Sequence, residues 1–266
     1  MKLRKYLLCI ILTATIIITP IETPKGIAAS DYINNSMPEI TDGTDYSKIV
    51  SDPEFKKTGF AGIKPPENTD DYASNIHDKK NSEIPIVESD IPNRASWMEL
   101  STPSSFYYYA QEESYSCGPA CVKMAIKYIT GVAYAESSIR AGCNTDASGT
   151  SLSDMCTYIN GMQNSNNYII SNYVNKNTMA SNLYSGIVQY DAPPIICIYE
   201  SQTQGWPFNL GGHAVTIYAA KSDLSAFMVA DPWGGYDNPN SSYKWYSRTV
   251  DELYDAYSAI YYGYMY

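Results

Sequence analysis

A chain of 266 residues, with 44% hydrophobic and 17% charged side chains, is long enough to bury the cores of one or two ordinary domains. Its formal charge of −10 would repel a phosphate backbone, so no nucleic-acid partner is expected. The core-forming residues are unevenly spread along the chain, and their distribution divides the sequence into three parts.

The first part, residues 1–29, has the pattern of an export signal. A basic start at Met1–Lys5 precedes an apolar run at Tyr6–Thr19, and small residues follow at Gly26–Ser30. The apolar run is too short to span a bilayer comfortably. We therefore predict a cleaved signal peptide and a secreted or extracellular protein, which could associate with the cell surface. An uncleaved N-terminal anchor is the alternative.

The second part, residues 30–95, is polar. It contains no cysteine and no tryptophan, and Asp, Glu, Asn, Ser, Lys and Pro dominate its composition. Such a composition buries too little apolar surface to offset the entropy cost of folding. This part is predicted to be a pro-segment or a flexible linker that adds little to the stability of the domain after it.

The third part, residues 96–266, holds all four tryptophans and is predicted to be one domain. Helical spacing of apolar residues and a capping box at Thr249 predict helices at Pro119–Ile129, Ser151–Gly161 and Thr178–Tyr190 and after Thr249. Runs of β-branched and aromatic residues predict strands at Tyr168–Val174, Ile195–Tyr199, His213–Ala219, Phe227–Ala230, Lys244–Tyr246 and Ile260–Tyr264. Helices followed by an antiparallel sheet predict the α+β class.

Cys117 stands directly before the first predicted helix of this domain. Gly118 lets the chain turn closely, and Pro119 suits the first helical turn. The positive end of the helix dipole favours the thiolate, which is the nucleophilic form of cysteine. A small buried residue at the start of the helix is the alternative interpretation. Cys121, one helical turn later, is assigned to the core.

The chain has two histidines, His77 and His213. His77 lies in the polar second part and is expected to be solvated. His213 follows two glycines at the start of a predicted strand, where another backbone or a substrate could approach closely. It is therefore the candidate base for Cys117, and a hydrogen-bonded core histidine is the alternative.

Asp231 ends the next predicted strand. An acid at this point can reach the imidazole ring of His213, fix its tautomer and leave the other ring nitrogen for the thiol. An Asp-Pro turn before a glycine-rich loop is the alternative. A zinc site formed by Cys117, Cys121 and His213 is not expected, because a fourth ligand and paired CxxC motifs are missing.

With these residues placed, the sequence resembles the small bacterial papain-like cysteine peptidases related to the double-glycine leader peptidases of bacteriocin exporters. The resemblance rests on motifs in a fixed order, namely Gln111, Cys117-Gly118-Pro119, Gly212-His213 and Asp231-Pro232. It implies a papain-like fold, with N-terminal helices packed on an antiparallel sheet. It also implies that Gln111 donates its side-chain amide to an oxyanion hole, with the backbone N–H of Cys117 as the second donor.

The sequence thus predicts a secreted cysteine peptidase, a monomer without a cofactor, which hydrolyses peptides or proteins through an acyl-enzyme on Cys117. His213 is its base and Asp231 its orienting residue. An acyl-transferring enzyme on the same fold, transglutaminase-like or peptide-ligating, shares the chemistry up to the acyl-enzyme and stays an alternative. A secreted binding module without turnover is a further alternative.

Five cysteines remain after the predicted signal, and an odd number leaves a candidate free thiol. Cys143 and Cys156 bracket a loop, and a disulfide between them is a further hypothesis. Closing a loop of this length would stabilise the fold by about 3 kcal/mol.

Overall fold

The computed structural model describes residues 58–59, 62–66 and 95–266. The predicted signal at residues 1–29 lies outside the described residues, as does most of the polar second part, including His77. Within the described ranges, no helix has both the length and the apolar character that crossing a bilayer requires.

The helices and strands follow one another with short connections. In chain order they are β1 (Thr58–Gly59), β2 (Trp97–Glu99), α1 (Cys117–Thr130), α2 (Glu136–Gly142), α3 (Leu152–Met162), β3 (Ile170–Ser171), α4 (Lys176–Val188), β4 (Ile195–Glu200), β5 (Asn209–Lys221), β6 (Ala226–Ala230), α5 (Pro232–Asp237), β7 (Trp245–Thr249), α6 (Val250–Ser258) and β8 (Tyr264–Met265). Short 3₁₀ turns lie at Pro103–Ser105, Gln202–Gln204 and Ser242–Lys244.

The sheet has the strand order β3–β8–β4–β5–β6–β7 along its main path, and neighbours on this path are antiparallel. β1 pairs in parallel with the start of β5, and β2 pairs antiparallel with its end. β5 is buried continuously from Gly212 to Ala220. A side chain on this strand is therefore held rigidly inside the molecule.

Helix α1 packs against β5. Residues Cys117 to Ile126 of the helix are all buried, as expected for a helix surrounded by protein. Gly131 ends the helix in a left-handed conformation with φ of 71°. The Cys121 thiol donates to the Ala214 carbonyl at 3.3 Å, so Cys121 lies in the core as predicted and fastens the helix to the strand.

The predicted α+β class is confirmed, and most of its elements are present. α1, α3, α4 and α6 correspond to the four predicted helices, although α1 begins at Cys117 and not at Pro119. Two predicted strands are wrong in extent, because only Ile170–Ser171 of the first and Tyr264 of the second belong to β-strands. Positive φ angles at Tyr173 and Tyr261 turn the chain away from the sheet in both segments.

None of the described cysteines forms a disulfide, and all of them are buried. Cys156 donates its thiol to the Tyr168 carbonyl at 3.3 Å, on the segment that leads into β3. Cys143 caps the end of α2 as a separate free thiol. The predicted disulfide between Cys143 and Cys156 is therefore wrong for this structure, because the Cys156 sulfur is directed to a backbone carbonyl instead.

Candidate active site

Cys117 is the first residue of α1, and its side chain is 0% exposed. The first backbone N–H groups of a helix have no acceptor within the helix, so the N–H of Cys117 can donate to a ligand. A Cβ on Gly118 would lie 2.5 Å from the Met155 sulfur. Glycine therefore allows α3 to pack closely against the start of α1.

His213 lies within β5, opposite Ile198 of β4. The sequence placed it at the start of a strand, but the strand begins at Asn209, where β1 and β4 already pair with it. The ring is 0% exposed. Its Nε2 lies 2.7 Å from Oδ1 of Asp231, which is also fully buried. The structure thus brings these two predicted site residues into direct contact.

The electrostatic surroundings favour the protonated form of His213. Burial by itself lowers the pKa of His213, but the charge of Asp231 and the hydrogen bond to it act in the opposite direction. The Cys117 thiol raises the pKa further, and the net pKa is well above its ordinary value. Because Nε2 faces Asp231, the buried Nδ1 is the ring nitrogen that remains for the thiol.

Asp231 is held by several donors at the start of α5. Its Oδ1 also accepts the Trp233 backbone N–H at 2.9 Å, which makes Asp231 the N-cap of that helix. The Tyr108 hydroxyl donates to the Asp231 backbone carbonyl at 2.7 Å. Asp231 thus caps a helix, and the glycines after it lie in α5 and not in the loop of the sequence alternative, while the same carboxylate also contacts His213.

Two residues that the sequence analysis missed lie behind Asp231. The Tyr246 hydroxyl is 2.7 Å from Oδ2 of Asp231 and 3.0 Å from Oε1 of Glu200. A hydroxyl donates one hydrogen, so it cannot satisfy two ionised carboxylates at once. Burial, together with the charge of Asp231, raises the pKa of Glu200 well above its ordinary value. Neutral Glu200 therefore donates to Tyr246, and Tyr246 donates to Asp231.

Glu200 ends the apolar strand β4, and a lone acid at such a strand end was the available sequence signal. Glu200, His213 and Asp231 have ligand atoms within 4.8 Å of one another, a spacing that could hold a cation. The hydrogen bonds just described already use both Asp231 oxygens, the His213 Nε2 and one Glu200 oxygen. A metal ion would have to break the imidazole–carboxylate contact, so we assign the cluster to hydrogen bonding.

Gln111 is buried next to the Asp231 turn. Its backbone N–H donates to the Pro232 carbonyl at 3.2 Å, and its Nε2 donates to the Glu113 carbonyl at 2.7 Å. The amide nitrogen carries two hydrogens, so one remains for another acceptor. The loop from Gln111 to Cys117 is thus attached to the loop that carries Asp231.

Glu136, another residue that the sequence analysis missed, orders the same loop. Its Oε1 accepts the Glu112 backbone N–H at 3.0 Å and the Ser116 hydroxyl at 2.5 Å. Burial raises the pKa of Glu136 to about 6. A buried carboxyl on α2 therefore positions the residue directly before Cys117.

Comparison with known proteins adds the family context. Residues 105–177 match the model of the Peptidase C39 family. The enzyme class is cysteine peptidase. The predicted resemblance to the papain-like peptidases related to the double-glycine leader peptidases is confirmed over this segment, which contains Gln111 and Cys117 but ends before His213 and Asp231. No curated protein sequence matches the chain.

Solved peptidase structures show similarity at low identity. The peptidase domain of Streptococcus ComA, a bifunctional ABC transporter involved in quorum sensing, is 15% identical, with 59% of this chain and 93% of that chain covered and a TM-score of 0.40. A double-glycine motif protease from an AMS/PCAT transporter, in complex with its leader peptide, is 15% identical, with 59% and 86% covered and a TM-score of 0.38. A protein described as a C39-like peptidase from Bacillus anthracis is 10% identical, with 64% and 96% covered and a TM-score of 0.44.

Proposed function

We propose that this cysteine peptidase hydrolyses peptide bonds through an acyl-enzyme on Cys117, with His213 as the base and Asp231 as the orienting residue. One observation carries the proposal. The His213 ring contacts Asp231 at 2.7 Å through Nε2 and leaves Nδ1 for the Cys117 thiol at the start of a helix. A nucleophile, a base and an orienting acid in this order are the parts of an acyl-transfer site.

The proposed reaction has two halves. In the first, the proton of the Cys117 thiol passes to Nδ1 of His213, and the sulfur attacks the carbonyl carbon of the substrate. The oxyanion that forms accepts hydrogen bonds from the Cys117 backbone N–H and from the second hydrogen of the Gln111 amide. The carbonyl then re-forms, the C–N bond breaks, and His213 protonates the leaving amine.

In the second half, His213 takes a proton from water, and the resulting hydroxide attacks the thioester carbon. The C–S bond breaks, the carboxylic acid leaves, and the thiol–imidazole pair is restored. The expected substrates are peptides or proteins, and the proposed mechanism uses no cofactor. The predicted signal at residues 1–29 supports a secreted enzyme, and we expect the mature protein in the culture medium to lack these residues.

Hydrolysis of a mixed fluorogenic peptide library by the full chain tests the proposal. Cys117→Ala should abolish turnover without loss of the folded state, because it removes only the nucleophile. Cys121→Ala is the matched control, since it removes a buried thiol one helical turn away and should retain turnover. Turnover by Cys117→Ala would contradict the proposal. An added amine that replaces water in most of the product would favour the acyl-transferring alternative.

A further inference from the structure

A short segment of the polar second part, residues 62–66, crosses the molecule beside the candidate site, and we call it the cleft segment. On the sheet side, the Ile63 backbone N–H donates to the carbonyl of Gly212 at 3.1 Å. Gly212 immediately precedes His213 in the chain. The Ile63 side chain is 1% exposed, so the cleft segment is packed into the domain.

The other edge of the cleft segment binds the loop before α3. Thr150 donates its backbone N–H to the Gly62 carbonyl at 2.7 Å and accepts the Lys64 N–H at 2.9 Å. The Lys64 Nζ lies 3.0 Å from Oδ2 of Asp146, an exposed ion pair at the same loop. The backbone is therefore hydrogen-bonded along both edges, as an extended peptide is when it lies between two walls of a binding site.

The contacts of the cleft segment reach the residue beside the candidate nucleophile. A Cβ on Gly118 would lie 3.3 Å from the Cδ1 atom of Ile63, so the Ile63 side chain covers the start of α1. A Cβ on Gly62 would lie 2.3 Å from the Tyr115 carbonyl oxygen, and Gly62 has a φ of +82°. Glycine is therefore needed at position 62 for the segment to lie this close to the Cys117 loop.

The burial of the site agrees with this placement. The side chains of Cys117 and His213 are both 0% exposed. An acyl donor has to bring its carbonyl carbon to the cysteine sulfur, and it has to come between the helix carrying Cys117 and the strand carrying His213. The cleft segment bridges the loop before α3 and β5 at this place, so a substrate could not bind there without displacing it.

We propose that the cleft segment is a resident ligand of the peptide-binding cleft, which it fills in cis, and that it imposes a partial latency by lowering the rate of peptide hydrolysis until it is displaced. The cleft accordingly binds extended peptide through the backbone of Thr150 and the carbonyl of Gly212. Latency rests on the proposed function, but the burial of the Cys117 thiol beneath the segment can be measured without any catalysis.

Alkylation of Cys117 in the full chain, followed by peptide mapping, tests the proposal. Lys64→Glu turns the attraction to Asp146 into repulsion at a partly exposed position and should raise the alkylation rate about fivefold. The double variant Lys64→Glu with Asp146→Lys restores an attractive pair and should return the rate to that of the wild type. Lys176→Glu disrupts the exposed ion pair with Asp251 between α4 and α6 and should leave the rate unchanged.

Gly62→Val is a stronger variant, because its Cβ meets the Tyr115 carbonyl and its φ is unfavourable for a β-branched residue. It should raise both the Cys117 alkylation rate and peptide hydrolysis by about tenfold or more, and a matched melting curve checks that the domain stays folded. If Gly62→Val does not fold, the Cys117 alkylation rates of the Lys64 and Asp146 variants still test the proposal.

The outcomes separate the two proposals. Equal alkylation rates in the wild type, Lys64→Glu and a folded Gly62→Val would overturn the resident-ligand proposal. Hydrolysis by the wild type as fast as by Gly62→Val would overturn latency. Faster alkylation in Gly62→Val without any hydrolysis would support the cleft assignment and count against the proposed peptide hydrolysis by Cys117.

Discussion

The hydroxyl of Tyr246 lies 2.7 Å from Oδ2 of Asp231, the carboxylate oxygen that does not face His213. Tyr246 belongs to β7, and Asp231 directly follows β6, so the contact joins two neighbouring strands at the end where the candidate site lies. With Glu200 behind it, the tyrosine holds the carboxylate in one orientation. The orientation of the His213 ring therefore depends on a residue two strands away in the sheet.

Tyr246→Phe should impair the site as well as the fold. It removes two buried hydrogen bonds, leaving Oδ2 of Asp231 without its donor and Glu200 without its acceptor, so we expect a loss of about 1–3 kcal/mol in unfolding free energy. The value of kcat should fall about tenfold with KM little changed. Tyr168→Phe is the matched control, because it removes a buried hydrogen bond to the Pro193 carbonyl elsewhere. A similar fall in kcat in both variants would show a general loss of stability instead.

Asp231→Asn should change the pH dependence of hydrolysis. The charge of Asp231 raises the pKa of His213 against the opposing effect of burial, so removing that charge lowers the pKa. The alkaline limb of the kcat/KM profile reports loss of the imidazolium proton and should move to lower pH by about one unit or more. Rates should fall less than in Cys117→Ala, because asparagine still accepts a hydrogen bond. An alkaline limb that does not move would limit Asp231 to capping α5.

Glu136→Gln should alter how stability depends on pH. Burial raises the pKa of Glu136 from 4.5 to about 6, so the folded state binds this proton more tightly than the unfolded state. Its contribution to stability is therefore fully present below about pH 4.5 and is lost as the pH rises through about 6.

Between pH 4.5 and 7.5 the wild type should accordingly lose about 2 kcal/mol relative to Glu136→Gln, which cannot ionise at this position. Urea unfolding of both proteins across this range measures the difference, which is insensitive to other titrating groups. A constant difference in unfolding free energy would contradict the assigned cause.

Cys117 should react with iodoacetamide at pH 6 much faster than Cys121 once the cleft segment is displaced, as in Gly62→Val. Burial raises the pKa of Cys121 well above its ordinary value, and its thiol donates to the Ala214 carbonyl. Cys117 instead lies at the first position of α1 with His213 as its partner. Peptide mapping of the labelled protein measures both rates, and equal labelling would contradict the assignment of Cys117 as the nucleophile.

Local patterns in the sequence were sufficient for the elements whose structure is itself local. The apolar stripe that ends at Gly131 predicted α1, and the capping box at Thr249 predicted the start of α6, which the structure has with both of its hydrogen bonds. The local contexts of Cys117, His213 and Asp231 each suited one chemical step and indicated a cysteine peptidase, whereas the role of Gln111 came from the family resemblance.

Only the tertiary structure could bring Glu200 and Tyr246 to Asp231, since these residues lie on different strands and meet through sheet pairing. Their proton arrangement depends on burial, which no local pattern reports. The cleft segment is a second feature that only the tertiary structure decides. Its polar composition predicted a spacer, yet its backbone N–H and C=O groups find partners at Thr150 and Gly212. Backbone hydrogen bonds are the same for every residue type except proline, so sequence composition cannot indicate where such a segment binds.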